Sequence, residues 1–376
     1  MSDQSSPLSG VLVISIEQAV AAPLCTVRLA DAGARVIKIE RPDGETARHY
    51  DAAVKGMSAY FVWLNRGKES VVLDLKSTSD LALLHRMVAK ADVLVQNLAP
   101  GASARLELSA TELTAKFPRL IVVDIVGYGQ DTPYAGMRAY DMLVQAESGI
   151  CAVTGTPESP SKIGVSAADI ATGMNAHAGI LEALLLRQRT GRGCAIEISM
   201  FDGMADWMSV PLLHYEHTGR ETGRYGLAHA SIYPYRPYAC GCGRTIIVAI
   251  QQNKEWSRFC STVLRRPDLC SDERFTTNML RVANRAALDA EIEPIFKMMD
   301  RDEAIRRLED AQIAWAKLTQ VRDLPSHPAL RRLQVALPGE KHVEVPCPAG
   351  RLPQANIVPR VPALGADTDR IRVEFA

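Results

Sequence analysis

The residues able to do chemistry are few and scattered. Asp169 opens a long proline-free helical pattern, DIATGMNAHAGILEALLLRQR, at a position where Asp is a preferred N-cap. A carboxylate there is expected to be kept ionised by the helix dipole and by amide donors. His177 and His229 stand alone, and a lone histidine is more often structural than catalytic. Cys240 and Cys242 form a C-x-C with no second pair or neighbouring His, which reads as a tight turn and implies no metal site. After the strand-like VLVISIE comes QAVAAPL, not G-x-G-x-x-G, and no Walker loop occurs. Nicotinamide and nucleoside triphosphate cofactors are therefore not expected. The two G-x-G forms, at Gly191 and Gly241, lie between elements in the wrong context.

The elements that must position these residues follow from periodicity. Short β-branched runs at 11–17, 34–40, 70–76, 92–97 and 119–129 alternate with helical segments such as Pro23–Ala32 and Ser79–Ala91. This βαβ rhythm predicts an α/β domain with a mostly parallel sheet, whose ligand crevice opens at the carboxyl ends of the strands and suits a nucleotide-containing ligand. Gly191 and Gly193 stop the Asp169 helix, and a second helical stretch runs from Phe201 to about His217. The Gly- and Arg-rich TGRETGRYG then reads as a linker. Beyond it SIYPYRPYA and RTIIVAIQ predict antiparallel strands joined by CGCG, followed by helices near 254–266, 284–299 and 302–311. The organisation expected is a large domain over 1–220, a small α+β domain over 225–325, and a segment over 326–376 returning to the large domain. Prolines 338, 346, 348, 353, 359 and 362 predict an irregular tail.

Composition narrows the classes. The 376 residues carry 43 Lys+Arg against 43 Asp+Glu, so nothing suggests a nucleic-acid partner. No apolar run is long enough to span a bilayer and the start, MSDQSSPLSG, lacks an apolar leader, so a cytoplasmic protein with no membrane partner is expected. The eight cysteines are spread through the chain, which predicts packed, reduced thiols.

An ordered set of short motifs then carries a resemblance over nearly the whole chain. They are GARVIKIERP from Gly33 to Pro42, Asn65-Arg-Gly-Lys68 with Leu73-Asp-Leu-Lys76, and Asn97-Leu-Ala-Pro-Gly101 followed by Arg105. Gly127-Tyr-Gly129, Tyr140-Asp141, Gln145-Ala146, Thr154-Gly155, Ala168-Asp169-Ile-Ala-Thr-Gly173, Thr190-Gly-Arg-Gly193 and Met200-Phe-Asp202 follow. Together they resemble the class III CoA-transferase family, relatives of formyl-CoA and carnitine CoA-transferases. That resemblance implies a Rossmann-like large domain, a small domain, and an interlocked homodimer. It implies no permanently bound cofactor, with a coenzyme A thioester as substrate. Arg41, Lys76 and Arg105 would lie near the CoA phosphates. Leu73, Asn97, Leu98 and Ala102 would line the adenine and pantetheine path, Ala19 would offer a backbone contact, Arg138 would stand where the family has lysine, and Tyr140 would be a further CoA-binding residue.

In the same way the resemblance makes Asp169 the nucleophile that attacks the donor thioester. Tyr140 stands where the racemase branch of the superfamily uses a histidine beside the same aspartate, which disfavours racemisation, although His177 or His229 could act from a distance. The stretch from Ala139 to Met174, with LAHASIYPY and IQQNKEW, resembles the branch handling itaconate, mesaconate and citramalate. The leading expectation is transfer from succinyl-CoA to itaconate or a close relative. The alternatives are intramolecular movement of CoA between the carboxyls of mesaconate and, behind it, 2-methylacyl-CoA racemisation. Arg48 and His229 are the candidates for a distal carboxylate. The glycine-rich loop of formyl-CoA transferases is replaced by the shorter RYGLAHASIYPY.

Overall fold

A computed structural model describes residues 6–350 and 358–376. The chain divides into two compact units, one of Met1–Cys151, Lys162–Leu212 and Arg331–Ala376, the other of Ala152–Ser161 and Leu213–Leu330.

In the first unit six strands, β1 (Leu12–Ile16), β2 (Arg35–Glu40), β3 (Lys68–Val72), β4 (Val93–Gln96), β5 (Ile121–Val126) and β6 (Ala195–Ser199), form one parallel sheet. Their order is β3-β2-β1-β4-β5-β6, so the winding direction reverses between β1 and β4 and opens a crevice there. The β-branched runs are apolar on both faces because helices cover both. Val13, Val36, Val95 and Val123 pack with Cys25 of α1 (Ala21–Asp31) and with Ala176 and Ile180 of a 24-residue helix, Ala167–Thr190. Ile14, Ile37, Leu94 and Val122 pack on the opposite face with Leu84 and Val88 of α2 (Thr78–Lys90). That alternation is the period of two expected of strands.

Between these helices in the chain lies α3 (Asp141–Glu147), and the 24-residue helix is α4. A Cβ on Gly173 of α4 would stand 2.5 Å from the Ala21 carbonyl and 2.9 Å from the Leu24 Cβ. Only glycine admits this close crossing of α1 and α4, one turn after Asp169. The second helical stretch breaks at Met208 into Met200–Trp207 and Ser209–Thr218.

The tail is not irregular, contrary to the reading from its prolines. Arg332–Leu337 and Lys341–Pro346 form an antiparallel hairpin, and Thr368–Glu374 is a helix. The prolines bracket these elements rather than interrupt them, Pro338 at the hairpin turn and Pro346 at a strand end; Pro353 lies outside the described residues. The segment also caps the edge strand β3: Asp367 accepts from the Ser70 amide at 2.9 Å and Thr368 from the Val72 amide at 3.0 Å. An edge so covered offers no pairing template.

The second unit carries the antiparallel sheet Ala314–Lys317, Thr245–Ala249, Tyr235–Ala239, packed by helices around Trp256, Phe259, Phe296 and Leu308. It also takes in the ten residues Ala152–Ser161: the Gly226 amide donates to the Gly155 carbonyl, and Arg224 donates to the carbonyls of Ala152, Thr156 and Pro157. Its chain boundary at Leu213 falls ahead of the Gly- and Arg-rich connection.

Candidate active site

The crevice of the first unit holds a cavity of about 580 Å3 at the carboxyl ends of β1 to β4. Its walls include Ile16, Gln18, Arg41, Leu73, Lys76 and Leu98. Arg41 and Lys76 are exposed at it, cations where an anionic group would enter, and the leucines supply an apolar wall. Four residues drawn from sequence as CoA contacts are thus brought together. Asn97 sits just behind as a clamp, its side chain accepting from the Gln18 amide and donating to the Gln18 carbonyl, both at 2.9 Å. Ala19 adopts a left-handed conformation (φ 63°) in the same turn and donates its amide to Glu45 at 2.9 Å. Ala102 and Arg105 occupy the short helix Ala102–Arg105; Arg105 is exposed and does not line the cavity. Arg138 is exposed on the connection from β5 to α3.

Beneath this turn lies an ionic cluster that sequence reading missed. Glu17, Lys38 and Lys68 are all buried. Glu17 Oε1 accepts from Lys68 Nζ at 2.6 Å and Lys38 Nζ at 3.3 Å, and its Oε2 accepts from the Thr26 hydroxyl at 2.5 Å. Lys38 also meets Glu45 at 2.9 Å and Asn65 at 3.0 Å. Burial alone would raise the Glu17 carboxyl, but Lys68 and Lys38 outweigh it and bring it down to about 2. Burial brings Lys68 down to about 8 despite Glu17. Glu45 passes the order outward, capping the turn Thr46–His49 through the Ala47 amide while holding Ala19. One signal was legible: Lys38 interrupts the apolar strand VIKI, where a charge needs a buried partner.

Asp169 departs from its sequence reading. The helix begins two residues earlier, with Ser166 as N-cap, so Asp169 sits in the first turn and is not the cap. The amides of Ala168 and Asp169 go to Asp141 Oδ1 at 2.8 and 3.3 Å. Among the described residues no hydrogen-bond donor or cation partners the Asp169 carboxyl. Instead of being held low by dipole and amides, it is raised to about 7 by burial and by the neighbouring Asp141. The amides of Gln18, Ala19, Ala168 and Asp169 are all taken, so none of them is free for a developing oxyanion.

Aromatic groups gather near Asp169. The Tyr50 phenol is pushed up by burial first, then by Glu45 and Asp169, with smaller contributions from Tyr60 and Tyr140. Tyr50 and Tyr60 meet edge to face at 5.5 Å. Tyr140 is 69 % exposed at the start of α3. Tyr50 and Tyr60 were not singled out from sequence, since surface tyrosines carry no periodic signal.

Arg48 requires a correction. Its guanidinium grips the buried Glu40 carboxylate with two 2.6 Å bonds and stacks 3.7 Å from the Phe61 ring centre, so it is not available for a substrate carboxylate. His229 belongs to the second unit, where it stacks on Tyr235 and accepts from the Ser231 amide at 3.0 Å. His177 lies about two turns along α4 from Asp169 and faces Arg28 and Asp31; burial lowers its pKa. No group of three His, Cys, Asp or Glu is arranged to hold a metal among the described residues, and the eight cysteines are free thiols. No described helix is long and apolar enough to cross a membrane.

Known proteins resemble this chain over most or nearly all of its length. The family model described as CoA-transferase family III matches residues 8–368. An acetyl-CoA:oxalate CoA-transferase from Acetobacter aceti is 39% identical over 297 residues, covering 76% of this chain and 74% of that protein. A succinyl-CoA:mesaconate CoA-transferase from Haloarcula hispanica is 31% identical over 312 residues, covering 80% of this chain and 78% of that protein. The crystal structure of a CAIB/BAIF family protein from Brucella suis superposes with a TM-score of 0.81 at 33% identity, over 99% of this chain and 100% of that one. With the match running nearly end to end, the chain belongs to CoA-transferase family III and is a CoA-transferase.

Proposed function

We propose that the chain moves CoA from a donor acyl-CoA, succinyl-CoA foremost, to a short dicarboxylate such as itaconate, with Asp169 as the covalent nucleophile. The observation that carries this is the Asp169 carboxyl itself: partly buried, without donors, and raised to about 7. A carboxylate so deprived of hydrogen bonds attacks a carbonyl far more readily than one solvated by water.

The exchange balances without a proton donor. Asp169 Oδ attacks the thioester carbonyl and the CoA thiolate leaves, forming a mixed anhydride. The thiolate attacks the aspartyl carbonyl, releasing the donor acid and leaving an aspartyl-CoA thioester. The acceptor carboxylate displaces the thiolate from that thioester, giving a second anhydride. Thiolate attack on its acceptor carbonyl yields the new acyl-CoA and frees Asp169. Arg41 and Lys76 would pair with CoA phosphates, while Leu73 and Leu98 would face its apolar portion. Asn97 would act by holding the Gln18–Ala19 turn. Mesaconate is supported as an acceptor class by the named activity of the Haloarcula relative.

The working form is proposed to be an interlocked homodimer. Met142, Leu143, Trp207 and Val210 of the first unit are exposed apolar side chains, and a second copy would cover them.

The test is a panel of succinyl-, acetyl- and mesaconyl-CoA against four- and five-carbon dicarboxylates, read by mass spectrometry. Acceptor labelled with oxygen-18 in its carboxyl should pass one label to Asp169 and then to the released donor acid. Mesaconyl-CoA alone would report intramolecular movement. Asp169→Ala should lose at least about a thousandfold in rate; retention of full transfer overturns the mechanism.

A further inference from the structure

We propose that Asp141 and Gln145 are positioning residues for the nucleophile: Asp141, held by Gln145, absorbs the open amides of α4 and sets its own negative charge beside Asp169, so that Asp169 is left bare and reactive. The inference rests on the reading of Asp169 as nucleophile and explains how the fold keeps it so.

The first turn of a helix has amides with no partner inside the helix, and a side chain at the cap normally takes them. Ser166 is the cap here and its side chain takes none. An unclaimed amide pair would turn onto the first-turn carboxylate, stabilising its charge and dulling it. Asp141 removes that outlet, accepting from Ala168 at 2.8 Å and from Asp169 at 3.3 Å. Its other oxygen accepts from Gln145 Nε2 at 2.7 Å, one turn along α3. Gln145 is wholly buried, and its Oε1 accepts from the Ile163 amide at 2.9 Å. A continuous run of hydrogen bonds thus ties α3 to the chain entering α4.

The groups facing this site are few. Asp141 on α3 is the charge that acts on Asp169, and Asp169 and Tyr140 both act on the Tyr50 phenol. Cys151 and Lys162 lie near Asp141. From α1, Arg28 and Asp31 face His177, not Asp169. The raised Asp169 carboxyl is the electrostatic counterpart of this geometry.

Asp141→Asn tests it, since the amide oxygen can still accept from Ala168 and Asp169 while the charge is gone. The Asp169 titration is followed by carbon-13 NMR of Asp-labelled protein, assigned with Asp169→Asn, alongside kcat and KM against pH. The Asp169 titration and the acid limb of kcat should both move down by about one pH unit, a tenfold change in its acidity constant. The kcat on the plateau should fall roughly threefold to tenfold, with KM for the acyl-CoA within about twofold. The substitution also sets an amide donor against the Gln145 amide, so Asp141→Asn/Gln145→Glu is the second variant. It restores a donor–acceptor match and the melting temperature but carries the charge one bond farther off, so the titration should recover only in part. An Asp169 titration that stays in place in both variants overturns the proposal. The titration is read without turnover, so it decides this point even if Asp169→Ala were to retain transfer, the outcome that would instead overturn the nucleophile.

Discussion

Glu17 and Asp169 are carboxylates of the same unit, the first wholly and the second partly buried, and they end at opposite extremes. Burial presses both toward the neutral form. Glu17 meets two lysines and a hydroxyl and is held at about 2; Asp169 meets another carboxylate and rises to about 7. The same physical cost is answered with full pairing at the end of β1 and left unanswered at the start of α4. Pairing makes Glu17 an anchor for the turn that borders the crevice. Lack of pairing suits Asp169 to the nucleophilic role proposed for it.

The comparison breaks most readily at Glu17. Glu17→Gln leaves the buried Lys68 without its carboxylate and Lys38 with that of Glu45 alone, and the folded state should lose about 3 to 5 kcal/mol in chemical denaturation. A loss under about 1 kcal/mol would mean that the lysines find water or other partners, and the anchor reading would fall. Thr26→Val keeps the shape and removes one donor to Glu17, so it should cost about 1 to 2 kcal/mol. A neutral result there would assign Glu17 to the lysines alone.

Sequence reading reached the sheet because β-branched runs alternating with helical periods have few other solutions: four strands of the parallel sheet lie within the apolar runs, while β3 starts two residues ahead of its run and ends at Val72. Its errors have physical causes. Asp169 reads as a cap because the true acceptor, Asp141, is 28 residues away in the chain. Arg48 looked like a free cation because nothing local announces Glu40 and Phe61 as partners. The tail looked irregular because its prolines mark the ends of elements as often as their absence. The excursion Ala152–Ser161 joins the second unit through its carbonyls, which accept from the Arg224 side chain and the Gly226 amide, and a carbonyl acceptor leaves no mark in residue type. Legible from the outset was the crevice wall: Arg41, Leu73, Lys76 and Leu98 follow strands in the motif pattern and do converge on one cavity.

The smallest effect is the one that most directly separates the two carboxylates. A carboxyl raised in the folded state binds its proton more tightly there than when unfolded, so folding stability falls as pH rises from the ordinary Asp value of 3.8 to about 7. Glu17, lowered in the folded state, contributes with the opposite sign: its stabilisation is present above the ordinary Glu value of 4.5 and is lost as pH falls toward about 2. Asp169→Asn cannot ionise and escapes the first loss. Its melting temperature relative to the parent protein should therefore climb between about pH 4 and pH 7 and then level off, reaching a gain of about 2 to 4 °C. A difference that stays flat across that range would show Asp169 to be as comfortably charged as a surface carboxylate, and the contrast with Glu17 would collapse.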